Sequence, residues 1–451
     1  LALLVAAAFA TLCPAGVAHG AVGELVLVAD TGGGDYGEVA QLQHRPAISA
    51  DGEVVAYVPQ SSGEGDPLFL RDMRAAEPVA IVTPSNPQFP GFDSASPALS
   101  AGGRYLAFAS EEATLSSEDA DRGRGPGGIR DSSVQIRDVF VYDRGTKKMK
   151  LVSRRSGRKG EAAANDSDLP SISADGRYVA YDTESTNLAP GDRLIVGGIY
   201  RRDLRTEENQ LISGVPGMMF WRPGSFSPAI SGDGRRVAFG FQYSPTPYNP
   251  KNPPRNVGKW LHNRHKQIML WDSAWERPRV VSRASGRRGP ISNQHCGEAS
   301  VSKSGRFVAF VSKAANLAPG DRNRLADVFV RDVQRSVTTL VSRVGGDGAT
   351  GDGDSVLPSI SADGRYVAFQ SLAGNLAPGD GDDDPDVYVK DLWTNRIALV
   401  APGLDGPSNG KFGAPAITAD GRYVAFGSTS SNISPEVRVH NMAFYRFQLL
   451  P

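Results

Sequence analysis

Three of the chain's six histidines, His262, His265 and His295, fall in one region of the sequence. Three imidazoles meeting with a fourth position open would make a catalytic transition-metal site. A different chemistry is written farther on. The run Asp380-Gly-Asp382-Asp383-Asp384-Pro-Asp386 sets acids at alternate positions, and Asp321-Arg-Asn323 precedes Asp327. Carboxylate and amide oxygens so placed on a tight loop suit Ca²⁺, which takes six to eight oxygens. The spacing lacks the glycine and the terminal Glu of an EF-hand loop. A third group is apolar. Met218, Met219, Phe220 and Trp221 lie in the loop before the fourth repeat, and the loop within that repeat is YSPTPYNPKNPPRNVGKWLHNRHK, which carries Trp260 between its prolines and basic residues. Such side chains on loops make a contact surface for a peptide, glycan or protein. Each group also has a plainer reading: scattered surface imidazoles, solvated turn acids, and a long loop that folds into its own small core.

What could position these residues is a repeat. One phrase returns seven times: Pro46-AISADGEVVAY, Pro97-ALSAGGRYLAF, Pro170-SISADGRYVAY, Pro228-AISGDGRRVAF, Ala299-SVSKSGRFVAF, Pro358-SISADGRYVAF and Pro415-AITADGRYVAF. Each reads as a β-hairpin whose turn carries Gly52, Gly103, Gly176, Gly234, Gly305, Gly364 or Gly421. The second strand is apolar at consecutive positions, so both of its faces must be covered. A second phrase follows in the first six units (Val328-FVRD, Val387-YVKD and their relatives), and a third soon after (Thr339-LVS, Ile397-ALV). Four antiparallel strands per unit, A to D, with no helical pattern between them, predict an all-β, seven-bladed β-propeller. The seventh unit runs out after Met442-AFYRF, a strand C. Glu24-LVLVAD has the pattern of a strand D, so the N-terminal strand is expected to complete the last blade and close the ring.

The hairpin and the Asp-Val-Phe-Val-Arg-Asp strand resemble the PD40 repeats, the WD40-like propeller repeats of TolB and related exported bacterial proteins. The resemblance spans residues 22–451. It implies the propeller and not a function. TolB joins a six-bladed propeller to an α/β domain, whereas this chain has seven units and no room for that domain, so the partner binding of TolB is not carried over. PD40-type propellers also cap serine peptidases, but no G-x-S-x-G elbow is present here.

Strand alternation puts the short A–B and C–D turns on one face and the longer B–C and D–A segments on the other. Function is expected on the second, around the mouth of the central channel. The Asp ending strand C (Asp72, Asp143, Asp203, Asp272, Asp332, Asp391) reads as a turn former. So do the hydroxyls ending strand A (Ser49, Ser100, Ser173, Ser231, Ser302, Ser361, Thr418), whose other available place is the channel wall. Three loops share Asn-Leu-Ala-Pro-Gly-Asp, beginning at Asn187, Asn316 and Asn375.

The 451 residues hold 49 basic and 49 acidic side chains, a net charge of zero, which excludes a basic nucleic-acid binder. Residues 1–20 read as a secretory signal peptide cut at its start, with an apolar run, Leu1 to Leu12, too short to span a bilayer. No later run is a transmembrane segment. Of two cysteines, Cys13 lies in that leader and Cys296 in the propeller (21–451), so no internal disulfide is expected. The reading is a monomeric, secreted or periplasmic scaffold binding a protein, peptide or polysaccharide on its long-loop face. The ligand-binding candidates are Met218, Met219, Phe220, Trp221, Trp260, His262, His265 and His295. The metal candidates are Asp380, Asp382, Asp384, Asp386, Asp321, Asn323 and Asp327, with calcium as the cofactor. Two alternatives stand beside it: a metal-assisted polysaccharide lyase or hydrolase on the same face, and a calcium-stabilised structural component of the envelope.

Overall fold

The computed structural model describes residues 23–30, 45–59, 67–75, 77–82, 95–112, 115–116, 136–158, 160–189, 198–213, 224–242, 265–275, 277–346, 348–404, 406–435 and 442–449. They form seven four-stranded antiparallel sheets arranged as the blades of a propeller. Blade 5 shows the pattern: strand A Cys296–Val301, B Phe307–Ser312, C Asp327–Asp332 and D Val337–Leu340. Blade 7 is assembled from both ends of the chain. Its strand D is Leu25–Asp30, which pairs with strand C, Ala443–Gln448, in the register Leu25 to Phe447 and Asp30 to Ala443. The expected closure by the N-terminal strand is therefore present.

The core lies between blades. Seven apolar clusters each join two neighbouring sheets, and one of them brings Val55 and Tyr57 of blade 1 against Val28, Ala425, Met442 and Phe444 of blade 7 across the closing seam. This is why strand B is apolar at consecutive positions: one face packs on the preceding blade and the other on the following one. Aromatic pairs bridge strands B and C within blades, such as Phe108–Phe140, Tyr181–Tyr200 and Phe310–Phe329.

The A–B turns interlock around the axis. Ala50 N–H donates to Ala101 O, Ala101 to Ala174, Ala174 to Gly232, Lys303 to Ala362 and Ala362 to Ala419. In each turn the strand-A hydroxyl bonds inward. Ser361 Oγ donates to Asp363 Oδ1 at 2.6 Å and accepts from Tyr366 N–H at 2.9 Å. Ser49, Ser173, Ser231 and Thr418 do the same with Asp51, Asp175, Asp233 and Asp420. These hydroxyls are buried and belong to the turn, not to the channel wall. The strand-C acids are likewise turn formers. Asp332 Oδ1 accepts from Gln334 N–H, and its carboxylate is clamped by Arg306 at 2.6 Å; Arg365 holds Asp391 at 2.7 Å in the same way. Arg104 holds the Asp143 carboxyl down at about 2.

Candidate functional site

On the opposite face, the segments leading into strand C meet the next blade's D–A segments through one recurring bond. Arg137 N–H donates to Asp166 Oδ1 at 3.0 Å, Ala326 N–H to Asp354 Oδ1 at 2.7 Å, and Lys266 N–H to His295 Nδ1 at 3.0 Å. His295 thus takes the place that a carboxylate holds elsewhere, and this bond requires its Nδ1 to be unprotonated. Burial, with His265 and Lys266 nearby, lowers the His295 pKa, consistent with that role. His265 packs edge-on against it, ring centroids 5.0 Å apart. Two of the expected imidazoles therefore meet, and no third metal ligand joins them among the described residues. His262, Trp260, Met218, Met219, Phe220 and Trp221 lie outside those residues.

Around the two histidines stands a cluster of charges. In blade 3, Asp168 on strand A (Ser167–Ile172) faces Asp182 on strand B (Tyr178–Thr183) across the ladder. Arg137 donates to Asp168 Oδ2 at 2.8 Å and to Glu111 Oε1 at 3.3 Å. Asp182 is pushed up to about 7 by burial, reinforced by the charges of Asp168 and Glu184 and opposed by Lys266. Burial lowers the Lys266 ammonium, and Glu298 and Asp182 pull the other way. Glu298 Oε2 accepts from Leu357 N–H of the next blade at 2.5 Å. Arg45, entering strand A of blade 1, donates across to Pro358 O of blade 6 at 3.0 Å, with Glu298 near enough to act on it. Glu298 and Leu357 lie at the bulge of strand A, as do Ser96, Leu169 and Ser227. All five adopt φ between 49° and 57°, a left-handed conformation uncommon for residues other than glycine. Recurring in five blades at one level, this bulge is a built feature of the innermost strand.

Sequence reading picked out His265 and His295 but missed Asp182, Lys266, Asp168, Arg137, Glu298 and Arg45. A signal for one of them existed. Aligning strand B of the seven repeats, its fifth position holds Val58, Ala109, Asp182, Gly240, Val311, Gln370 and Gly427, and Asp182 is the one acid.

The acidic loops enter strand C of blades 5 and 6. The Asn of the shared phrase fixes both. Asn316 Nδ2 donates to Ile291 O at 2.9 Å and Asn375 Nδ2 to Thr350 O at 3.1 Å, while their Oδ1 atoms accept from Asn293 and Asp352 N–H. Beyond that anchor the two loops share their turns. Leu325 N–H donates to Asn323 Oδ1 at 3.0 Å, as Asp384 N–H does to Asp382 Oδ1 at 3.0 Å. Asp380, Asp382 and Asp386 bring carboxylate oxygens within 4.8 Å of one another. Asp384 stays outside that trio. Asp321 and Asp327 are close enough to repel, and burial pushes Asp327 and Asp386 up to about 7.

Cys296 is a free, buried thiol whose pKa burial raises, and no disulfide forms among the described residues. A further concavity of about 560 Å³ opens on the turn face between blades 2 and 3, lined by Tyr105, Asp143, Lys148, Lys150 and Arg177 among others. Three of its charges are already engaged: Asp143 by Arg104, Lys150 by Glu207, and Arg177 by Asp203. No described helix is long and apolar enough to cross a membrane.

No protein-family model matches the chain, and no curated protein sequence does. Solved structures do match. An oligogalacturonate lyase in complex with manganese is 12% identical, with a TM-score of 0.51 over 95% of this chain and 98% of that one. The oligogalacturonate lyase of Vibrio parahaemolyticus is 12% identical, with a TM-score of 0.50 over 94% and 97%. TolB from Acinetobacter baumannii is 14% identical, with a TM-score of 0.40 over 87% and 79%. At these identities the likeness is one of fold.

Proposed function

We propose that this chain is an exported propeller scaffold that binds a polysaccharide or a peptide at the loop-face mouth of its channel. The observation that carries the reading is the convergence of Arg137, Lys266, Asp168, Asp182 and Glu298 with the His265–His295 pair, drawn from four blades. Donors and acceptors of both signs, held by stiff strands, suit a polar polymer rich in hydroxyls, amides and carboxylates. A basic groove for nucleic acid would lack the acids, and a lipid site would lack the charges.

The same mouth supports a second reading, a metal-assisted lyase or hydrolase. Its support is the Asp182 carboxyl, pushed up to about 7 and acted on by Lys266, whose N–H bonds His295 of the His265–His295 pair. The solved propeller of like fold that carries manganese acts on oligogalacturonate. Neutral glucans, uronic-acid oligosaccharides and mixed-charge peptides, titrated calorimetrically into the full chain, test both readings. At least one class should bind, and Lys266→Met and Asp182→Asn should each weaken it about tenfold or more. Trp393→Ala, on the turn face, should leave it unchanged. Ultraviolet absorbance of an unsaturated uronate product, with and without added Mn²⁺, separates lyase from scaffold. Binding by no class, or binding indifferent to both mouth variants, would refute the proposal.

A further inference from the structure

Two loops on the outer part of the loop face, away from the channel, set acids around a buried carboxylate at the start of strand C, and in blade 5 one of that carboxylate's oxygens has no partner. In blade 5, Asp327 is 0% exposed. Its Oδ1 accepts from Ser342 Oγ at 2.6 Å, while its Oδ2 is buried with no hydrogen-bond partner. Asp321, 4% exposed, lies close enough to repel it, and Asn323 sits beside both. In blade 6, Asp386 is 2% exposed, and the one hydrogen bond its carboxylate receives, among the described residues, is from Ser408 Oγ to Oδ1 at 3.1 Å. Asp380 and Asp382 bring oxygens within 4.8 Å of it.

A buried carboxylate without a partner is costly, and two or three together more so. Proteins keep such groups where a cation completes them. Arg343 acts on Asp321 but spends its guanidinium on Gly348 O and Pro319 O. At the matching position blade 6 has Pro402, and it adds acid: Asp382 replaces Asn323, and Asp384 replaces Leu325. Only oxygens are offered, with no imidazole or thiol, which favours a hard cation over zinc or copper. Several carboxylates in one flexible loop suit calcium's larger, irregular shell better than the tight octahedron of magnesium.

We infer that the Asn-Leu-Ala-Pro-Gly-Asp loops of blades 5 and 6 are a pair of calcium sites, with Asp380, Asp382 and Asp386 forming the stronger and Asp321, Asn323 and Asp327 the weaker. Each ion joins the entry of strand C to the turn after the Asn anchor, fixing the outer rim of the loop face. The chain holds its own contrast. Blade 3 carries the same Asn187-Leu-Ala-Pro-Gly-Asp phrase, but its strand C opens with Gly198 where the other two have Asp327 and Asp386. That blade lacks the buried carboxylate and is assigned no ion.

The test uses the full chain, stripped with chelator and dialysed. Calcium chloride, followed by calorimetric titration and by thermal unfolding, should bind at two sites per chain in about the 10⁻⁴–10⁻³ M range and raise Tm. Asp382→Asn with Asp386→Asn should remove the tighter site, and Asp321→Asn with Asp327→Asn the weaker one. Asp383→Asn, in the same loop but outside the trio, should change neither. Should a double variant fold poorly, Asp382→Asn alone should still weaken the tighter site about tenfold. Terbium, excited through nearby tyrosine, should give emission that calcium displaces. The inference is overturned by no heat and no Tm shift at 10 mM calcium, by sites that survive both double variants, or by an equal response to magnesium.

Discussion

Asp182 is a residue whose protonation the fold disturbs outside the acidic loops. Its carboxyl, normally near 3.8, stands at about 7 because burial and the charges of Asp168 and Glu184 outweigh Lys266. Between those two values the folded chain holds a proton that the unfolded chain releases. Stability from this group is therefore fully present below about pH 4 and is lost as pH rises through 7. At one unit per about 1.4 kcal/mol, partly screened at a site that is not wholly enclosed, the effect is of order 1–3 kcal/mol. Urea unfolding of wild type and Asp182→Asn at pH 5 and pH 8 isolates it. The wild type should gain on the variant by that amount on going from pH 8 to pH 5, and parallel pH profiles would show that the carboxyl does not carry the shift. His295 illustrates the opposite case. Its chemistry is eye-catching in the sequence, yet its Nδ1 does what the carboxylates of Asp166 and Asp354 do in other blades. A residue type that departs from its repeat column can keep the column's structural task, whereas Asp182 departs from a column that has none.

At the level of the element, the hairpin is where sequence and structure agree most closely. The turn glycines adopt φ from 64° to 79°, and each abuts the first strand-B residue of a neighbouring blade. A Cβ on Gly364 would fall 2.1 Å from Phe307 Cδ2, while one on Gly157, at φ 95°, would meet nothing within 4 Å. Gly157→Ala then suffers only the backbone penalty, about 1 kcal/mol, and Gly364→Ala adds overpacking of about 1–3 kcal/mol. Guanidinium denaturation midpoints of the two variants should differ by that added amount; equal losses would mean that the hairpin yields to Phe307 without cost. Turn chemistry and two-sided burial are local, so the repeat phrase displayed both. The channel-mouth cluster was not legible for a matching reason. Arg137, Asp168, Lys266 and Glu298 come from four blades, and which of them meet depends on the rotation from one blade to the next. The acidic loops lay between these extremes. Their alternating oxygens were visible, but that Asp327 and Asp386 are buried at the start of strand C follows from the register of the sheet, which the spacing alone does not give.

The whole molecule is a ring, and a ring fails differently from a row. In an open array each unit contacts only its neighbours, so an end can fray by itself. Here the seam between blades 7 and 1 is held by the N-terminal strand, by Arg446 donating to Gly52 O at 2.9 Å, and by packing of Val28 with Val55, Tyr57 and Phe444. Among the described residues this seam cluster has fewer buried members than the other six, yet it supports all the rest, because opening it exposes a strand edge and frees both ends of the array. Val28, 3% exposed, is the residue to charge. Val28→Asp puts an unpaired carboxylate into the seam, a loss of about 3–5 kcal/mol, and Val79→Asp, on the outer strand of blade 1 at 58% exposure, should stay within about 0.5 kcal/mol. The shape of the transition carries the argument further. If closure couples all seven blades, Val28→Asp lowers one cooperative melt, and near-ultraviolet circular dichroism and proteolysis move together. If the blades behave as a row, the variant melts in two steps, with blades 7 and 1 lost first and the acidic loops of blades 5 and 6 still protected. The seven interlocked clusters favour the single transition, since no blade has a core of its own on which to survive.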